Sequence, residues 1–545
     1  MDHQEPTQSS TTVRWLSVGL TLLGATGACC ALAFRRLGDF DLPIHLASGR
    51  VVVETGRLMF KDQLSFRAQP VQWAENVMDV GQYAAIRIGG PFALQVLGAV
   101  IAVSTLVLLY WQSRSAGPAA LLVTALAAAA MHQWFIARAA TLSFAFLAAL
   151  LLLLACHRQK AGTREGARAL AAIPFLHLIW SNSHAFVVLG VALMGGYFGY
   201  RLMCHLACGR IGLWAPRADG SDLLRTGVIS LLTLAASCLN QAGPGLLLGP
   251  LRASHDFGRI TEWATTTPTF LVNEAPVALC FAAIALLALL FGRDPDTRQR
   301  IPTLFDLGLV VLALVLARSA VRLIPVGILL VTPLVARRLG TLVPSTKLSQ
   351  VASALSTCLV APWMLLSSPT TLGIGFEPTH FSEELIQYIR TKKPRGRMYN
   401  FFAYGGWLAW RLYPTYQVMV DGRQAWVHGA PFMKLYYASQ DDPVKLEALA
   451  NQLGLSWAVT RAVEGEGITP ALARSPRWVM TYWNETSAVY VRKQGDNAPL
   501  VKSGYRLFRH LTFPASVLSW ALRPGPHRKA LAHDGCRSTS ARRWR

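Results

Sequence analysis

The chain has 545 residues, 52% of them hydrophobic and only 15% charged, with a formal net charge of +23. Soluble chains carry about 25% charge, so this composition excludes an ordinary soluble enzyme and indicates a polytopic membrane protein. The basic excess falls mainly in short loops between apolar runs and in the C-terminal tail, the pattern of the positive-inside rule, and no nucleic-acid-binding motif accompanies it.

A membrane span needs about 20 apolar residues, and about eleven candidate runs are present. They lie near 14–34, 91–112, 118–136, 139–155, 170–182, 184–203, 226–241, 269–291, 304–317, 320–336 and 350–367. The first lacks a clear Ala-x-Ala cleavage site and reads as a signal anchor behind a cytoplasmic N-terminus, residues 1–13. With that end inside, Arg158, Lys160, Arg164 and Arg168 fall on the cytoplasmic side. So do Arg210, Arg217 and Arg225, then Arg293, Arg298 and Arg300, then Arg337 and Arg338. Residues 35–90 then form a large first outer loop, within a membrane domain of residues 14–367. Apolar spacing around 44–53 and 77–88 suggests helices lying along the membrane surface. Residues 368–512 read as a small extracytoplasmic α/β domain. A capped amphipathic helix is expected at Ser382 to Ile389, and strands at Gln417–Asp421, Ser456–Thr460 and Ser487–Arg492. Residues 513–545 read as a basic, disordered tail. The nine cysteines are scattered and give no disulfide framework.

Chemistry-bearing residues concentrate at predicted span ends. The first outer loop holds Asp39, Asp41, His45, Glu54, Asp62, Trp73, Glu75 and Asp79. A carboxylate there can take a proton from an attacking hydroxyl, and hard carboxylate oxygens suit a divalent metal. Leu42-Pro43 favours a turn after the acidic pair over a continuing helix. Arg138, His184, Glu262, Arg318 and Arg322 fall near the outer ends of their spans in this topology. One such arginine is ordinarily an anchor; several at one depth fit a phosphate-bearing lipid, because guanidinium forks match phosphate oxygens. In the C-terminal region, Tyr399 to Leu408 combines aromatics with Gly405-Gly406 and precedes Val420-Asp421-Gly422-Arg423. The glycines permit tight turns, and the aromatics suit either a sugar face or a packed core. Asn484-Glu485-Thr486 has the form of a glycosylation sequon, a triplet common by chance.

Taken in order over roughly residues 14 to 495, these stretches resemble a bacterial family of the GT-C class of membrane glycosyltransferases. Asp39-Phe40-Asp41-Leu42-Pro43-Ile44-His45-Leu46-Ala47-Ser48-Gly49 resembles that family's Asp-x-Asp-Leu-x-x-His-Leu-x-x-Gly opening. Asp62-Gln63-Leu64-Ser65-Phe66, Trp73-Ala74-Glu75, Trp180-Ser181-Asn182-Ser183-His184, Ile260-Thr261-Glu262-Trp263 and Arg318 to Pro325 are similar to its later landmarks. The chain departs from the pattern at Pro43-Ile44, Ala185 and Asn240-Gln241-Ala242-Gly243.

The resemblance implies a GT-C-like α-helical membrane protein with a small α/β domain. It would move a sugar from a polyprenyl-phosphate carrier to a glycan, lipid or protein acceptor at the outer face of the bacterial inner membrane, in cell-envelope synthesis. Asp39 or Asp41 would act as base. Arg138, Arg318 and Arg322, with His45, His184 and Glu262, would bind substrate. Magnesium or manganese at Asp39, Asp41 and His45 is a further expectation. No Gly-rich nucleotide loop is present, so no nucleotide cofactor is expected, and no nucleic-acid partner. The alternative is a non-catalytic scaffold or glycan-binding factor for surface polysaccharide assembly.

Overall fold

The computed structural model describes residues 8–67, 69–71, 74–206, 219–253, 263–295, 298–368, 371–423, 427–462 and 469–502. The chain forms two compact units: Met1–Leu37 with Ala74–Gly375, and Gly38–Trp73 with Phe376–Arg545. Residues 38–73, expected as a loop of the membrane domain, thus belong to the same unit as the C-terminal region. The tail expected at 513–545 lies outside the described residues.

The first unit is helical. Its elements are α1 (Gln8–Ala33), α3 (Asn76–Ser113), α4 (Pro118–Met131), α5 (Ala139–Gln159), α6 (Arg164–Ser181), α7 (Val187–Leu206), α8 (Gly220–Ser237), α9 (Gly245–Ala253), α10 (Pro268–Asn273), α11 (Pro276–Phe291), α12 (Leu304–Ser319), α13 (Ile324–Leu339) and α14 (Lys347–Leu366); α2 belongs to the second unit. Among the described residues five helices are long and apolar enough to cross a membrane: Trp15–Ala33, Asn76–Ala116, Ala139–Gln159, Val187–Leu206 and Lys347–Leu366. The other expected runs are also helical. However, α4, α11, α12 and α13 have 14 to 16 residues. At 1.5 Å per residue they are shorter than a hydrocarbon core of about 30 Å.

Local chemistry explains several boundaries. α3 breaks at Gly90 (φ 63°), ahead of Pro91, so the segment expected at the membrane surface, 77–88, runs directly into the apolar run after it. Gly24 of α1 faces Thr357 of α14 so closely that a side chain would strike the α14 backbone, a small-residue helix contact. α13 is buried at every position from Ile324 to Ala336, as expected of a helix apolar all round. Several buried ionisable groups of this unit are paired. His157 of α5 bonds Tyr197 (2.7 Å) and Asp222 (3.1 Å), Asp222 pairs with Arg201, and Arg158 pairs with Asp306 at 3.0 Å.

The second unit is α/β. It contains α2 (Leu42–Thr55), α15 (Glu383–Lys392), β1 (Arg397–Asn400), α16 (Gly405–Leu412), α17 (Ala430–Asp441), α18 (Pro443–Leu453), β2 (Leu455–Arg461), β3 (Trp478–Trp483) and β4 (Ser487–Arg492). The sheet order is β1-β2-β4-β3, with β1 and β2 parallel and the other pairs antiparallel. Strand alternation buries both faces. Trp457, Val459, Val489 and Val491 pack with α2, α15 and α16; Ala458, Ala488 and Tyr490 pack with α17 and α18.

The expected helix at 382–389 and the strands at 456–460 and 487–492 match α15, β2 and β4. Ser382 caps α15 by accepting the Leu385 N–H at 3.0 Å. Gln417–Asp421 joins no strand of the sheet; Val418 makes an isolated parallel bridge to Ser65. The Val418 N–H donates to Leu64 O (2.9 Å), and the Asn400 amide accepts Met419 N–H and donates to Val420 O, both at 2.8 Å. α2 is not an exposed surface helix: Leu42 to Gly49 and Val51 are buried in this unit's core.

Candidate functional site

In the first unit, Arg138 and Arg322 come together. Arg138 is the N-cap of α5, with extended backbone (φ −134°, ψ 161°). Arg322 lies in the single 3-10 turn Val321–Leu323 that leads into α13. Both line one cavity of about 260 Å³, with Trp134, Phe144, Phe186 and Phe270 among its walls. The Arg322 guanidinium lies 4.4 Å from the Trp263 ring centroid and 5.6 Å from that of Phe186. α5 begins at Ala139 directly after Arg138, and the Thr141 N–H of its first turn donates to Arg138 O at 3.0 Å. Two guanidinium groups, a helix N-terminus and apolar walls suit an anion carried on an apolar group.

Beside the cavity, His184 is held by neighbours. Trp180 Nε1–H donates to Ser143 Oγ (2.8 Å), which leaves the Ser143 hydroxyl hydrogen for His184 Nδ1 at 2.9 Å. The Phe186 N–H also points to Nδ1, at 3.3 Å. This pattern assigns the imidazole proton to Nε2, which lies 3.7 Å from Glu75 Oε1. The His184 ring also meets the cavity-lining Phe186 edge-to-face at 4.5 Å. Arg318 is exposed in the last turn of α12 and is not among the residues that line the cavity. Glu262 lies outside the described residues, as do His255, Asp256 and Trp73. Ser143 escaped the sequence reading because a lone serine in an apolar helix ordinarily bonds its own backbone; its only signal is its place five residues after Arg138.

The second unit holds the acidic pair. The Asp41 N–H donates to Asp39 Oδ1 at 3.2 Å, closing a turn. The Asp41 carbonyl then accepts the N–H of Ile44 (3.1 Å) and His45 (3.4 Å) and opens α2, with Pro43 in its first turn. Both carboxylates are half-buried and His45 is buried. Three glycines shape the surroundings. A side chain at Gly406 would come within 2.9 Å of Ile44 N, one at Gly405 would strike Val420 O, and one at Gly422 would strike Asp41 Oδ1. Gly405-Gly406 thus serves close helix packing in α16 rather than a turn. The aromatics beside it, Tyr404 and Trp407, are core residues and not an open sugar platform.

Behind Gly422 lies a fully buried charge cluster. Arg423 Nη2 binds Asp62 Oδ1 at 2.9 Å and Asp421 Oδ2 at 2.8 Å, and Arg423 Nε binds Asp421 Oδ1 at 2.9 Å. His428 Nε2 accepts the Asp421 N–H (3.1 Å) and lies 3.3 Å from Asp421 Oδ2. Burial alone would raise the Asp421 carboxyl, but the Arg423 guanidinium bonded to both its oxygens reverses this and holds it far below the usual carboxylate range. Sequence spacing could not pair Asp62 with Arg423, which are 361 positions apart.

Among the described residues, no group of three or more His, Cys, Asp or Glu side chains is placed to hold a metal ion. Asp39, Asp41 and His45 are therefore not gathered into such a group, and no step below passes through a metal. Asn484 of the sequon is committed to structure: its amide donates to Ser382 Oγ (2.8 Å) and accepts the Thr486 and Ser487 N–H groups.

No family model and no curated protein matches the sequence. Several solved structures do. Archaeal oligosaccharyltransferase AglB from Archaeoglobus fulgidus, in complex with an inhibitory peptide and a dolichol-phosphate, aligns at TM-score 0.55 and 13% identity, over 89% of this chain and 75% of that one. The oligosaccharyltransferase of that organism tethered to an acceptor peptide aligns at TM-score 0.57 and 12% identity, over 88% and 74%. ArnT from Cupriavidus metallidurans bound to undecaprenyl phosphate aligns at TM-score 0.51 and 12% identity, over 88% of this chain and 98% of that one. The chain therefore has the fold of the GT-C membrane glycosyltransferases, as its motifs suggest.

Proposed function

We propose that this protein is a membrane glycosyltransferase that takes a sugar from a polyprenyl-phosphate carrier and gives it to an acceptor hydroxyl at the outer face of a bacterial inner membrane. One observation carries the reading: the first-unit cavity that joins Arg138 and Arg322 to aromatic walls at the N-terminus of α5. AglB holding a dolichol-phosphate and ArnT holding undecaprenyl phosphate, on the same fold, support it.

In this reading the two guanidinium groups and the α5 N-terminus bind the carrier phosphate. Their attraction is strongest when the sugar C1–O bond has broken and the phosphate carries its full charge, so they stabilise the leaving group. The acceptor oxygen bonds to C1. Its proton passes to a general base, for which Asp39 and Asp41 are the candidates by their sequence motif, and the carrier leaves as polyprenyl phosphate. Asp39 also holds the turn through Asp41 N–H, and Gly422 leaves room for the Asp41 carboxylate. His184, with its proton on Nε2 and Glu75 beside it, is a fixed hydrogen-bond donor rather than the base.

The test is Asp39→Asn and Asp41→Asn, each isosteric, with outer-face glycan as readout in cells lacking the native chain. Loss of glycan in at least one variant, with both inserted and folded, is the expected result. Full glycan in both refutes the carboxylate mechanism. A scaffold would keep glycan in both yet lose it on deletion of the second unit.

A further inference from the structure

Among the described residues of the second unit, the exposed large apolar side chains are Val53 (50%), Leu58 (42%), Phe60 (66%), Leu435 (54%) and Val444 (77%). Three of these five lie within residues 53–60, at the end of α2. That tip is rigid. α2 closes at Gly56 (φ 66°), whose N–H donates to Val52 O at 2.9 Å, and Thr55 Oγ1 donates to Val51 O at 2.7 Å. The Val71 N–H donates to Phe60 O at 2.9 Å, and Lys61 bridges to Pro70. Met59, between Leu58 and Phe60, is buried in the core, while a tight turn closed by the Phe60 N–H donating to Leu58 O at 3.2 Å leaves both neighbours exposed. Arg57 and Lys61 are exposed beside them, as is Glu54, which leaves one surplus positive charge on the tip.

A fold that buries Met59 while holding a leucine and a phenylalanine out, with cations on both sides, is not filling its own core. Apolar side chains beside lysine and arginine are suited to a headgroup boundary, where rings and aliphatic chains enter the acyl edge and cations meet lipid phosphates. We propose that residues 53–61 form a peripheral membrane contact of the second unit, separate from the spans, that favours anionic lipid.

The test uses the full chain in nanodiscs of phosphatidylglycerol and phosphatidylcholine, with Phe60→p-benzoylphenylalanine, irradiation and peptide mass spectrometry. A lipid adduct at position 60, and none with the same substitution at Val444, is the expected result. No lipid adduct at 60, equal adducts at both positions, or a cross-link from 60 to a polypeptide overturns the proposal. Hydrogen exchange on the unsubstituted chain gives a second reading. Peptides covering 53–61 exchange more slowly in phosphatidylglycerol discs than in pure phosphatidylcholine discs. Equal rates overturn the anionic preference.

Discussion

Replacing Arg423 by methionine removes the guanidinium that bonds both Asp62 and Asp421 while leaving both carboxylates in a dry core. Breaking a buried ion pair from one side costs about 3–5 kcal/mol, because the remaining charge is uncompensated. A domain is stable by about 5–15 kcal/mol, so the loss is a large share of the total. At 1.4 kcal/mol per factor of ten, amides of β2, which open only when the sheet opens, exchange at least about 100-fold faster. The assay is hydrogen exchange on the full chain, read on peptides covering Leu455–Arg461. Adding Asp421→Asn to Arg423→Met removes one stranded charge and recovers part of the loss. The pH dependence carries a sign. Asp421 is depressed in the folded state, so its stabilisation is complete above the unfolded value of about 3.9 and is lost as pH falls below it. In Arg423→Met, burial is left to raise that carboxyl, so lowering the pH stabilises the unit instead. An Arg423→Met chain that exchanges within about threefold of the parent, with the same pH slope, refutes this reasoning.

Gly422→Ala places a methyl group against Asp41 Oδ1. Overpacking of this kind costs about 1–3 kcal/mol, and sugar transfer falls because the carboxylate moves, while peptides of β2 and β4 keep their protection. Ser143→Ala removes the acceptor of the buried Trp180 Nε1–H, at about 1–3 kcal/mol, while His184 Nδ1 keeps the Phe186 N–H; the loss is read as a lower thermal midpoint of the detergent-solubilised chain. Arg318→Gln, at an exposed position outside the cavity, leaves carrier binding unchanged within about twofold, measured by native mass spectrometry.

Apolar runs made the helical unit legible. Span count was not, because α12 and α13 have 16 residues each, and a short buried helix and a span look alike in composition. In the second unit β2 and β4 read correctly as β-branched alternation. β1 is only four residues, Arg397–Asn400, too short for a periodic signal. Gln417–Asp421 has strand composition but is fixed by the Asn400 side chain, which no local pattern reveals. Among the expected site residues, Arg138 and Arg322, chosen by their depth at span ends, share a cavity. Arg318 met the same criterion, is exposed and does not line that cavity, since depth does not fix the direction of a side chain. Asp62, Asp421 and Arg423 carried motif signals, yet their joint burial depends on a contact between the first loop and the C-terminal region.

The most direct test of the central claim is binding of undecaprenyl phosphate to the purified full chain, measured by native mass spectrometry. The parent, Arg138→Gln, Arg322→Gln and the double variant are compared. Hydrogen bonds to a charged group contribute about 1.5–3 kcal/mol, so each single variant weakens binding by about 10- to 150-fold, and the double variant retains no lipid at concentrations that saturate the parent. If the double variant is folded and binds the lipid as the parent does, the cavity is not the carrier site and the glycosyltransferase reading loses the observation on which it rests.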